Sequence, residues 1–240
     1  GEQLTQRRAL DAGVPVSIVR PAIVESSLNF PFPGWNEGIN TCAPIVYVLY
    51  RGHRFVPCNP DNILDLIPVD EVCRGTLMSG GALLCEEAPQ IFQFCSGDVN
   101  PLTMRRAVEL SNFAWRKRYD QDEKNLLKRH VMRNLDSVAV DRKTYDRLSA
   151  PQVSRITKQA RGLLRRIPKS ILGPVKPVVN QLDRGLGALE KATAVCNTIF
   201  TVFRPFIEDN NPVFSSRNVR SISDRLVEDE RDAFAVHIAE

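Results

Sequence analysis

Residues 14–35 read "VPVSIVRPAIVESSLNFPFPGW". Val14 to Val19 is a short β-branched run bounded by Gly13 and Pro21. Such a run fits a strand buried on both faces of a parallel sheet. It closes on Arg20-Pro21, then two serines, then a segment dense in proline, glycine and aromatic residues. In open α/β sheets, ligands lie beyond the carboxyl ends of the strands. Pro21 fixes the chain direction there. The peptide groups of Ala22, Ile23 and Val24 are expected to be free for a partner other than a neighbouring strand. The bland reading of the tripeptide is a plain strand–loop junction.

Outward from this stretch, residues 1–12 have helical spacing and Gly13 stops them. Residues 28–44 are loop, given Pro31, Pro33, Gly34, Gly38 and Pro44. "IVYVLYRG", 45–52, is continuous in apolar residues and reads as helix. In "DLIPVDEVCRGTLM", Asp70 is expected to cap a helix that carries Val72, Thr76 and Leu77 on one face. "QIFQFCSG", 90–97, alternates and reads as a strand. A helix follows a Thr103 cap. This order predicts an α/β sheet domain.

From about residue 116 charge is dense and helical spacing dominates. Residues 152–169 place Val153, Ile156, Ala160, Leu163 and Ile167 on one stripe, with Arg155, Lys158, Arg161, Arg165, Arg166 and Lys169 elsewhere. Pro168, Pro174 and Pro177 are expected to break this helix. A second helix ends near Pro205. A third covers 216–240, with Val219, Ile222, Leu226, Ala233 and Phe234 in register. Two consecutive domains are expected, 1–115 and 116–240.

Composition agrees with two surfaces. The chain has 240 residues, 43% apolar and 25% charged, with a net charge of +4. Residues 1–100 hold 6 basic and 11 acidic side chains, leaving 26 and 17 for the rest. No apolar run approaches the roughly 18 residues of a membrane span. Six cysteines without a CxxC pair give no metal spacing and read as reduced cytoplasmic thiols. Three distant histidines support no His/Cys or His/Ser constellation.

The ordered blocks "VSIVRPAIVESSLNFPFPGWNEGIN", "DLIPVDEVCRGTLM" and "FQFCSGDVNPLTMRRAVEL" resemble the second half of the reductase domain of fatty acyl-CoA reductases. That family lies within the extended short-chain dehydrogenase/reductases. Pro33-Gly34-Trp35 after "RPAIVESS" is the most telling piece. The tail "FRPFIEDNNPVFSSRNVRSISDRLVEDERDAF" is similar, more loosely, to bacterial members. The resemblance implies an α/β fold: the C-terminal half of a Rossmann-like domain, followed by a mostly α-helical region. Gly1, Glu2, Gln3 and Leu4 match the continuation of a helix whose catalytic Tyr-x-x-x-Lys precedes Gly1. The chain is therefore expected to be a fragment short at both ends, lacking that pair and the Gly-rich phosphate loop, and inactive alone.

The chemistry so implied is NADPH-dependent reduction of a long-chain acyl-CoA. One hydride converts the thioester to aldehyde and expels CoA, and a second gives the alcohol. Arg20, Pro21, Ala22, Ile23 and Val24 become a nicotinamide shelf, and Ser26, Ser27, Pro33, Gly34 and Trp35 line the substrate pocket. For the serines the plainer alternative is local turn bonding. For Phe30, Phe32 and Trp35 it is packing of the loop on the sheet. Asp65 and Asp70 read as structural. Competing readings are a sugar-nucleotide epimerase or steroid-type dehydrogenase, and a basic helical adaptor touching membranes through 152–169. Nucleic acid is not an expected partner, and no metal is expected.

Overall fold

The computed structural model describes residues 1–38, 41–122, 124–166 and 176–238. Six short strands among them form three parallel pairs. The mixed α/β class expected from the sequence is present.

Helix α1, Glu2–Asp11, ends before Gly13, whose φ of 65° lies in the region glycine tolerates without strain. Strand β1 covers only Ile18–Pro21 and pairs in parallel with a later strand, Ile91–Phe94. Val16 to Val19 are half-buried, with Val14, Arg20 and Pro21 exposed. The expected strand buried on both faces is thus corrected: β1 has one strand neighbour among the described residues. Strand β2, Ile23–Glu25, pairs instead with Leu66–Pro68. The chain changes partners at Ala22. Its N–H donates to the Phe94 carbonyl at 2.7 Å, and Ile23 N–H donates to the Asp65 carbonyl at 3.1 Å.

In chain order the next elements are α2 (Ala43–Tyr50), β3 (Phe55–Pro57), β4 (Leu66–Pro68), α3 (Val69–Leu84) and β5 (Ile91–Phe94). The buried face of α3 is Glu71, Gly75, Met78 and Ser79, while Leu77 is exposed. Of the face expected from Val72, Thr76 and Leu77, Val72 packs against the core while Thr76 and Leu77 are exposed, because Gly75 meets the Phe94 ring. A Cβ on Gly75 would sit 2.7 Å from Phe94 Cζ. Pro68, and not Asp70, is the N-cap. Ile67, Met78, Phe92 and Phe94 form one core with Val219, Ile222, Val236 and Ile238.

The remaining elements are α4 (Met104–Asp122), α5 (Leu126–Asn134), β6 (Val138–Val140), α6 (Arg142–Leu148), α7 (Ala150–Arg166), α8 (Lys176–Arg204), a π turn at Pro205–Asp209, α9 (Arg217–Ser223) and α10 (Glu228–Phe234). Thr103 Oγ accepts from Arg106 N–H at 3.3 Å, as its capping role requires. Pro177 sits in the first turn of α8, where a missing N–H costs no helical bond. Ile167, Pro168, Lys169 and Pro174 lie outside the described residues. The single expected helix over 216–240 is two. Arg231 donates to the carbonyls of Asp224 and Leu226, closing the turn between them. The chain after α10 runs extended, which lets both Val236 and Ile238 reach the core.

The chain forms two compact units. One contains 1–42, 63–102 and 212–240; the other contains 43–62 and 103–211. This interleaving differs from consecutive domains at 1–115 and 116–240. The charge shift follows the sequence, but packing does not. β3 pairs with β6, a strand the sequence did not reveal, and the final segment packs with the first unit's sheet.

Candidate functional site

The site expected from the sequence lies at the carboxyl ends of β1, β2, β4 and β5. Its main feature is the loop after β2. The base of this loop is fastened at every turn. Ser27 is buried: its N–H donates to the Trp35 carbonyl at 3.1 Å, its hydroxyl to the Phe32 carbonyl at 2.8 Å, and its own carbonyl accepts from Gly34 N–H at 2.9 Å. Glu25 Oε1 accepts from Cys42 N–H at 3.1 Å. Asp70, in the first turn of α3, accepts from the N–H groups of Leu28 and Asn29 at 2.8–3.1 Å. Burial pushes the Asp70 carboxyl up, but these backbone donors outweigh it and hold its pKa below the ordinary value. The tip is apolar and open to solvent, with Phe30 78% and Phe32 58% exposed.

Several expected roles change. Arg20 is bound to Glu2 of α1 through both guanidinium nitrogens it presents, one at 2.8 Å, so its charge is already matched. The N–H groups of Ala22 and Ile23 are spent on the sheet and are not free. Of the shelf, Pro21, Ala22, Ile23 and Val24 offer apolar surface. Ser27 follows the plainer reading, bonding its own loop; Ser26 is half-buried. Pro33 and Gly34 are exposed and Trp35 is half-buried. Phe30 and Phe32 face outward and do not pack on the sheet.

Asp65 is structural, as expected. Oδ1 accepts from Ser96 N–H at 2.8 Å and Gly97 N–H at 3.1 Å, fixing the turn after β5. Its Oδ2 is buried without a partner. Glu71 and Asp98, which the sequence did not single out, hold the last segment. Glu71 Oε2 accepts from His237 N–H at 2.8 Å, and Asp98 accepts from both Ser216 N–H and its hydroxyl at 2.8 Å.

The second unit holds a pair that sequence spacing could not show. His53 Nε2 lies 3.2 Å from Ser149 Oγ, against the rings of Tyr145 and Phe200. Burial lowers the His53 pKa, and a hydrogen bond to the Phe55 backbone partly offsets this. Burial also pushes the Tyr145 hydroxyl up. Ser149 is 5% exposed and joins α6 to α7. The pair therefore reads as a packed junction. At the carboxyl ends of β3 and β6 lies a cavity of about 390 Å³ lined by Cys58, Asn59, Arg142 and Glu208. Arg142 and Glu208 are ion-paired at 3.3 Å. Burial raises the Glu208 pKa, outweighing its arginine neighbours.

The first unit thus holds two parallel strand pairs, β1–β5 and β2–β4, with a fastened loop after β2, an arrangement consistent with an NAD-binding α/β domain. Residues 1–76 match the family model described as male sterility protein, an NAD-binding domain. Fatty acyl-CoA reductase 2, chloroplastic, of Arabidopsis thaliana is 36% identical over 104 residues, 40% of this chain and 17% of that protein. The alcohol-forming fatty acyl-CoA reductase of Simmondsia chinensis is 31% identical over 115 residues, 47% of this chain and 23% of its own length. Putative fatty acyl-CoA reductase 7 of Arabidopsis thaliana is 24% identical over 220 residues, 87% of this chain and 47% of that protein. The matched part of the chain is thus similar to fatty acyl-CoA reductases. The chain spans less than half the length of each of these three relatives.

Proposed function

We propose that this chain is the later part of a reductase that converts long-chain fatty acyl-CoA to fatty aldehyde or primary alcohol with NADPH. The NAD-binding domain implies a nicotinamide cofactor. The residues present fit that group only in part. Arg20 and the Ala22 and Ile23 N–H groups are already bonded, so residues 20–24 give it an apolar wall and these three groups give it no new hydrogen bond. The 240 residues contain neither Gly-x-Gly-x-x-Gly nor Tyr-x-x-x-Lys. On this reading the phosphate loop and proton donor belong to the rest of the whole protein. The contribution of this chain is to position and enclose the acyl substrate.

The observation that carries the reading is the loop after β2. Its base is held by Glu25, Ser27 and Asp70, while Leu28, Phe30 and Phe32 stand in solvent. Exposed aromatics on a fastened loop suit an apolar chain. In the whole protein, NADPH oxidation should depend on palmitoyl-CoA, and the 240-residue chain alone should show none. Phe30→Ser with Phe32→Ser should raise the KM for palmitoyl-CoA roughly tenfold and leave a short acyl-CoA unaffected, as loss of apolar contact predicts. A whole protein that oxidises neither NADPH nor NADH with any acyl-CoA would overturn the proposal.

A further inference from the structure

We infer that one flank of the α7–α8 hairpin docks on an anionic lipid bilayer. The two helices are antiparallel. Arg161, near the end of α7, reaches Asp183 at 2.9 Å and Glu190 at 2.6 Å in the first half of α8, and Tyr145, just before α7, meets Phe200 near the end of α8. The side of α7 turned to α8 is Val153, Thr157, Ala160 and Leu164, all buried or half-buried. This moves the expected stripe round the helix, because Ile156 and Leu163 are left outside it.

Those two residues, with Val178, Leu182 and Leu189 of α8, are 44–65% exposed. Ile156 and Leu163 are two turns apart on one face, and Val178, Leu182 and Leu189 share one face of α8. At roughly 100° per residue, each row lies about 80–160° round its helix from the groups that form the Arg161 pairs. The ion pairs therefore close one flank of the hairpin, and the apolar rows emerge on the other.

Charge identifies the occupant. Residues 150–204 contain ten basic side chains and two acidic ones, Asp183 and Glu190. Both acids bind Arg161. Among the described side chains, Arg204 is paired with Asp209, and the other exposed charges that remain, Arg155, Lys158, Arg166, Arg184 and Lys191, are all positive. A nucleic acid backbone would use these cations and leave the leucines in water. A headgroup layer takes both, the apolar row in its acyl boundary and the cations against its phosphates. No helix among the described residues is long and apolar enough to cross a membrane, so the contact is peripheral.

The test is co-sedimentation of the 240-residue chain with phosphatidylserine/phosphatidylcholine vesicles. Binding is expected at low salt and should be lost near about 1 M salt, where the screening length is about 3 Å. Two variants use exposed positions and should keep the helical circular dichroism of the parent chain: Leu163→Ser with Leu182→Ser, and Arg155→Glu with Lys158→Glu. Each should weaken vesicle binding by at least about tenfold. Equal binding to pure phosphatidylcholine, or no binding at low salt, overturns the inference. So does a loss confined to the charge variant, which would assign the surface to a polyanion such as RNA. Self-association abolished by the serine variant without vesicle binding would assign the flank to a second copy, and also overturns it.

Discussion

Four carboxylates do most of the joining in the first unit. Asp65 holds the turn after β5, Asp70 the loop after β2, and Glu71 and Asp98 the last segment. The sequence marked both Asp65 and Asp70 as structural, Asp70 as the cap of a helix whose N-cap is in fact Pro68. It could not show what Asp70 binds, since its donors are some forty residues away. His53 and Ser149 make the same point: 96 residues separate them, and only folding makes them neighbours. Because burial depresses the His53 pKa, its neutral form is the one the fold stabilises. Charging His53 at low pH favours the unfolded chain. Stability from this group is complete above the ordinary histidine value of about 6.5 and is lost as pH falls from there through the lowered folded-state value. Ser149, Tyr145 and Phe200 face the ring, and none supplies a compensating carboxylate. We expect His53→Gln to flatten the pH dependence of the urea midpoint between about pH 7 and 5. A dependence that survives the substitution would assign the effect to another group.

Elements were legible where a local rule governs them. Gly13, Thr103 and the apolar run 45–52 act within one or two turns, and α1, α4 and α2 fall where those residues put them. Strands of three residues were not legible. β2, β3, β4 and β6 are each too short to show alternation, and each is defined by its partner. The α3 face was misjudged for a related reason: hydropathy favours Leu77, whereas the ring of Phe94 demands a glycine. That demand can be measured. Gly75→Val should destabilise the chain by about 1–3 kcal/mol by forcing Phe94 from its place. Restoring space with Phe94→Leu should recover part of the loss, a non-additivity expected of touching residues. Thermal unfolding of the two single variants and the double variant gives the coupling directly. Additive losses would show that Gly75 is not held by that contact.

For the whole molecule, the sequence conveyed the α/β class and the change in surface charge, but not the interleaved path. A charge count follows chain order, while the core of the first unit draws on its beginning, its middle and its last described segment. Val219, Ile222, Val236 and Ile238 cover Ile67, Phe92 and Phe94. Removing 212–240 should therefore uncover apolar surface far from the cut. We expect the shortened chain to bind a fluorescent apolar dye strongly and lose its cooperative thermal transition, because buried side chains of this size are each worth about 2–5 kcal/mol. Retention of a sharp transition would show that those residues are an accessory cover.

The same path sets an order of events during synthesis. Chains leave the ribosome amino end first, at about 5–20 residues per second. The second unit has all its residues once Asn211 has emerged, whereas the first must wait for Val219 to Ile238. For several seconds β1, β5 and α3 exist without their cover, and the nascent chain carries a sticky face that a chaperone can hold. A slow codon run within 212–238 would lengthen that interval, and soluble yield should fall with it although the finished protein is unchanged.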